Sequence, residues 1–108
     1  MVSPDAYHVF IAVYMMASKR HGTIYIGVTS ELPNRVYKHR EAPNPGFTKD
    51  HHVHRLVWFE RHESIEAAIH REKQLKKYKR EWKINLIERE NPEWIDLFPS
   101  LFGVTGKI

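Results

Sequence analysis

The sequence contains no cysteine. That excludes a disulfide scaffold and any thiolate zinc site, and it suits a reducing compartment. It also lacks a long apolar run. The longest, Val9 to Ala17, falls far short of the roughly 20 residues that a bilayer-spanning helix needs. No basic segment followed by an apolar stretch and a cleavage site reads as a signal peptide. The expectation is a cytoplasmic protein that does not meet the membrane. Internal repeats, low-complexity tracts and interdomain linkers are absent from the sequence as well. A length of 108 residues predicts one domain over 1–108, with a core at about 7–97 and a loose C-terminal end from Gly103. Such a chain can bury a modest core without covalent staples.

What is present is a modest basic excess. The formal charge is +4 and the isoelectric point about 9.4. The excess is concentrated: Arg71 to Lys83 holds seven Lys or Arg against two Glu, a local net of +5. A basic helical surface attracts polyanions, nucleic acid first, although a solvated charged helix has the same composition.

His8 to Met16 is rich in β-branched and aromatic residues and predicts a buried strand with Phe10, Ala12, Tyr14 and Met16 on one face. Thr23 to Val28 predicts a second strand, and the polar link Ser18 to Gly22 makes the two a hairpin. Gly27 inside a strand pattern marks a bulge or a close backbone approach. Thr29 and Ser30 offer N-caps for a helix from Glu31 to about Glu41, with Pro33 in its first turn and Leu32, Val36 and His39 facing inward. Arg35 and His39 are four apart and share one side of it.

Residues 42–48 form a Pro-, Asn- and Gly-rich loop, and Val53 to Glu60 predicts a third strand. Ser64 caps a helix to about Tyr78 with Ile65, Ala68, Ile69, Glu72 and Leu75 inward. A third helix, Arg80 to about Arg89, places Trp82 and Leu86 on one face and ends at Asn91-Pro92. Ile95 to Phe102 supplies apolar residues that pack back on the domain. Together these elements predict a small α/β fold, a three-stranded and mostly antiparallel sheet flanked by about three helices.

Glu72 is the sharpest physical anomaly in this reading. A carboxylate in an apolar stripe must be protonated, paired with a cation such as Arg35 or a lysine, or bound to a metal. Tyr14 and Tyr25, separated by ten residues, meet across the hairpin, as cross-strand packing or as a pair of phenols in a site. The histidines at 51, 52, 54, 62 and 70 are clustered, but their spacing matches no common zinc pattern.

The ordered set Ala12-Val13-Tyr14, Tyr25-Ile26-Gly27, Arg35, His39, Glu72 within Arg71 to Leu75, and Asn91 resembles the GIY-YIG nuclease family, in particular its small bacterial stand-alone members. The resemblance covers roughly residues 7 to 97.

It implies a divalent-metal-dependent DNA endonuclease in which Glu72 binds Mg²⁺ or Mn²⁺. Tyr14 is then the candidate general base, and its phenol, ordinarily titrating near 10, has to be lowered by the metal, Arg35 or a lysine. Tyr25 contacts phosphate or positions water, Arg35 binds phosphate oxygens, and His39 relays a proton. Gly27 lets backbone and substrate approach. Asn91 orients side chains or backbone and stands among the substrate-side residues. Lys49, Lys76 and Lys77 are candidates for backbone phosphate contacts.

The implied substrate is DNA, branched or single-stranded, recognised by structure rather than sequence, with DNA repair as the setting. A non-catalytic nucleic-acid-binding module with the same fold is the alternative, followed by a protein-interaction domain whose basic helix meets an acidic partner.

Overall fold

The computed structural model describes residues 9–41 and 53–102. The expected 42–48 loop lies outside them, as do Lys49, His51, His52 and the 103–108 end. Strand β1 (Phe10–Ala17) pairs antiparallel with β2 (Ile24–Leu32) on one side and with β3 (Arg55–Arg61) on the other, giving the order β2-β1-β3. Helix α1 (Asn34–Glu41) lies between β2 and β3, helices α2 (Ile65–Lys76) and α3 (Arg80–Glu90) follow β3, and a 3₁₀ turn closes at Pro99–Phe102. Among the described residues this is the expected α/β architecture with an antiparallel sheet. No described helix is long and apolar enough to cross a membrane.

As the central strand, β1 buries both faces, and Ala12 to Ala17 are all fully inaccessible. Its odd positions, Val13, Met15 and Ala17, pack with Ala68 and Leu75 of α2, Ile87 of α3 and Trp94. Its even positions, Ala12, Tyr14 and Met16, pack with Leu32, Val36 of α1, Val53 and Leu56, while Leu97, Phe98 and Leu101 close over that layer. Strand alternation thus assigns α1 to one face and α2 with α3 to the other.

The hairpin turn is closed by Ser18 N–H donating to the Thr23 carbonyl at 3.0 Å and Gly22 N–H to the Lys19 carbonyl at 2.9 Å. Its left-handed residue is His21, at φ 59°, rather than the glycine.

Several boundaries and faces differ from expectation. The second strand continues to Leu32, because Phe10 pairs with Leu32 after a register shift. Thr29 Oγ1 accepts from Glu31 N–H at 2.9 Å within the strand instead of capping a helix, and α1 starts at Asn34. On α2, Ser64 Oγ caps Ala67 N–H at 3.1 Å as expected; Ala68 and Leu75 are fully buried and Ile65 and Glu72 partly so, but Ile69 is exposed. The sheet covers a narrower arc of the helix than five inward positions require. On α3 the inward residues are Ile87 and the partly buried Ile84 and Leu86, and Trp82 is 47% exposed. The i, i+4 pairing of Trp82 with Leu86 follows the edge of the buried stripe. Ile95 is exposed, whereas Leu97, Phe98 and Leu101 pack back as expected.

Candidate active site

Tyr14 lies in the middle of β1, directly opposite Gly27 of β2, and Tyr25 lies two residues along from Gly27 on the same face. The two phenol rings are 6.2 Å apart, tilted by 51°. Gly27 is what allows this arrangement. A Cβ there would stand 2.6 Å from both Cζ and Oη of Tyr14 and 2.9 Å from Cε1. Its missing side chain is therefore filled by the Tyr14 ring, from within the protein.

Arg35, exposed near the start of α1, donates a side-chain hydrogen bond to the Tyr14 phenol, and Tyr14 is hydrogen-bonded in turn to Tyr25. The contact with Tyr25 favours the protonated form of Tyr14. The three groups form a chain: an exposed guanidinium, a fully buried phenol and a partly exposed phenol.

This geometry corrects one expectation. Arg35 acts on Tyr14 in the predicted direction, but burial is the larger effect, and the Tyr14 phenol ends well above its ordinary value. Removal from water penalises phenolate more than one hydrogen-bonded cation relieves it. The same hydrogen bond holds the Arg35 guanidinium above its already high value, so it stays charged.

Glu72 stands on α2, the helix that covers the opposite face of the sheet. Its side chain is only 15% exposed, and its carboxylate is paired with Lys76 Nζ at 3.0 Å, one turn on. The lysine alternative for this carboxylate is the one the structure shows. Arg35, the other candidate partner, is engaged with Tyr14. No group of three or more His, Asp or Glu side chains among the described residues could hold a metal ion. A single, mostly buried carboxylate still fits Mg²⁺, which keeps most of its waters and takes one or two carboxylates plus substrate oxygens.

His39 falls in α1, four residues after Arg35, but its side chain lies outside the described ones. Lys76 and Lys77 are exposed at the end of α2. Asn91 is 6% exposed. Its Nδ2 donates to the Val57 carbonyl at 3.1 Å and the Ile95 carbonyl at 2.9 Å, and its Oδ1 accepts from Ile95 N–H at 3.0 Å. These bonds lock the end of α3 to β3, so the backbone-orienting half of its expected role is the half its geometry serves.

Sequence reasoning missed an aromatic and basic cleft at the junction of α2 and α3, lined by Arg71, Tyr78, Trp82, Asn85, Leu86 and Arg89. The available signal was the pairing of Tyr78 and Trp82 inside the basic run Arg71 to Lys83.

Comparison with known proteins places these observations. The chain is 33% identical over 67 residues to UPF0213 proteins of Staphylococcus aureus, among them those of strains Mu50, N315 and MW2, a match that covers 62% of this chain and 82% of each relative. No solved structure matches. The family model described as the GIY-YIG catalytic domain matches residues 10–85, a stretch that contains the tyrosine pair, Arg35 and Glu72, and the chain belongs to the GIY-YIG family of nuclease domains.

Proposed function

We propose that this chain is a divalent-metal-dependent endonuclease that hydrolyses DNA phosphodiesters, directed by DNA structure rather than by sequence. The observation that carries the reading is the Arg35–Tyr14–Tyr25 chain of hydrogen bonds, a permanently charged donor and two phenols gathered on one face of the hairpin. Phosphoryl transfer builds negative charge on phosphate oxygens, and the exposed guanidinium supplies paired donors for them.

Tyr25 is the partly exposed phenol and meets the attacking water or a phosphate oxygen. Tyr14 behind it fixes the orientation of both Tyr25 and Arg35, and gives up its own proton only when a positive charge offsets its burial. His39 is assigned the proton relay, and Lys49, Lys76 and Lys77 the flanking phosphates. Glu72 is the metal-holding residue. A bound Mg²⁺ or Mn²⁺ would acidify a coordinated water and neutralise charge on the phosphate and the leaving oxygen.

The test is cleavage of labelled branched, flapped and single-stranded DNA with Mg²⁺ or Mn²⁺ by the wild type, Glu72→Ala and Tyr14→Phe. Metal-dependent cleavage by the wild type that both variants lose supports the reading. Equal cleavage by all three means that the activity does not come from this site. Salt-sensitive binding without cleavage, unchanged in both variants, makes a nucleic-acid-binding module the better account. The depth at which Tyr14 is buried is the observation that favours that second reading.

A further inference from the structure

The cleft at the α2–α3 junction has a volume of about 350 Å³, within the range of small-molecule sites. Two of its lining residues are arginines and none is acidic. Trp82, 47% exposed, is one of its lining residues. The Tyr78 ring meets Trp82 edge-on, with centroids 5.5 Å apart and an interplanar angle of 86°. Lys79 Nζ lies over the Trp82 ring, 5.5 Å from its centroid, so one face of the indole carries a cation.

Arg71 is held in place from the core side. Its Nε donates to Glu60 Oε1 at 3.0 Å, and Nη1 donates to Gln74 Oε1 at 2.6 Å. Glu60 belongs to β3, on the far side of β1 from β2. Arg71 therefore leans toward the sheet edge opposite the one that carries Tyr25, and the cleft is separate from the Arg35–Tyr14–Tyr25 cluster.

A half-exposed indole is a standing loss of buried apolar area unless something covers it. With Arg71 paired to Glu60, Arg89 and the neighbouring Lys79 are the cations that select an anion, and the aromatic wall selects a flat apolar group. Asn85 adds an amide that can donate and accept at one edge. A nucleotide is the ligand with all three properties: phosphate for Arg89 or Lys79, a base for the Trp82 ring, and base-edge groups for Asn85. A base inside a duplex cannot offer its face to a protein ring, whereas a single strand can.

We infer that this cleft captures an unpaired nucleotide of the substrate strand, stacked on Trp82, at a distance from the scissile phosphate. The inference rests on the nuclease reading and narrows it to substrates with a single-stranded segment.

The experiment titrates a short oligodeoxythymidylate, its duplex with oligodeoxyadenylate, and polyglutamate into the metal-free protein. The readouts are tryptophan emission and salt-dependent affinity. Trp58 and Trp94 are buried, so quenching from outside reports on Trp82. The expected result is quenching by the single strand and little by the duplex or by polyglutamate. Trp82→Ala should weaken single-strand affinity roughly 5- to 150-fold, the range that base stacking on an aromatic ring supports, and Trp82→Tyr should restore part of it. Arg89→Gln should reduce the slope of log affinity against log salt by about 0.7, one phosphate contact on a single strand. Circular dichroism checks that each variant is folded.

Equal single-strand affinity for the wild type and a folded Trp82→Ala overturns the inference, and so does quenching by polyglutamate as strong as by the oligonucleotide. Cleavage separates the two readings. A Trp82→Ala protein that cuts flapped DNA with unchanged KM leaves the nuclease standing without this subsite. Trp82-dependent binding in a protein that never cuts leaves the subsite standing without the nuclease.

Discussion

Replacing Gly27 with alanine tests the geometry on which the tyrosine site depends, because local propensity and tertiary packing give opposite signs. Glycine in a strand costs roughly 0.5–1 kcal/mol relative to alanine, so propensity alone makes Gly27→Ala stabilising. The structure places the new methyl 2.6 Å from Cζ and Oη of Tyr14, against about 3.5–4.0 Å for a comfortable carbon contact. The overlap is therefore on the order of 1 Å. The ring has little room to yield: Tyr14 is fully inaccessible, packed in a layer with Ala12, Met16, Leu32 and Val36, and bound to Arg35 and Tyr25.

Overpacking of this kind costs about 1–3 kcal/mol, which in a domain of this size lowers Tm by on the order of 5–15 °C. The assay is urea unfolding followed by circular dichroism, in the wild-type and in a Tyr14→Leu background. Leucine removes Cζ, Oη and the ring carbon that the methyl would strike. In that background Gly27→Ala should cost under about 0.5 kcal/mol or stabilise, so the two substitutions should couple. A Gly27→Ala protein as stable as the wild type, or an equal loss in both backgrounds, would refute the argument that the Tyr14 ring is the reason for the glycine.

Three further outcomes follow from named contacts. Tyr14 has a folded pKa above its unfolded value, so above pH about 10 the unfolded chain gives up a proton that the folded protein keeps. Stability should then fall with rising pH more steeply in the wild type than in Tyr14→Phe, as measured by alkaline urea titrations. Asn91→Ala removes three hydrogen bonds and leaves the Val57 and Ile95 groups without them. It should cost about 2–3 kcal/mol in urea unfolding, and a loss below about 0.5 kcal/mol would contradict its assigned place in the fold.

Glu88 accepts from Trp94 Nε1 at 2.7 Å and lies 2.6 Å from His21 Nε2. The Trp94 bond first, and His21 second, hold its carboxyl below the usual glutamate range. That contribution is present above about pH 4.3 and lost as pH falls through the lowered folded value. Thermal melts from pH about 5 to 3 should therefore decline less steeply in Glu88→Gln than in the wild type, and identical slopes would exclude this carboxyl from the acid response.

The sequence by itself determined what depends on neighbours along the chain. The alternation of β1 placed Tyr14 with Ala12 and Met16, Ser64 announced the start of α2, and Asn91-Pro92 announced the end of α3. These are signals of period and capping, complete within a few residues. The order of tyrosines, arginine and glutamate likewise identified the family before any distance was known.

Only the tertiary structure decided which environment each group occupies. Burial by α1 and Leu32 reverses the expected shift of Tyr14, a ring from the neighbouring strand explains Gly27, and Lys76 occupies the Glu72 carboxylate. On α3 only Ile87 is fully buried, and Trp82 stands half-exposed. Desolvation, steric fit and coverage by a sheet are properties of surfaces brought together from distant parts of the chain. A local pattern states what a side chain is, and the fold decides what stands against it.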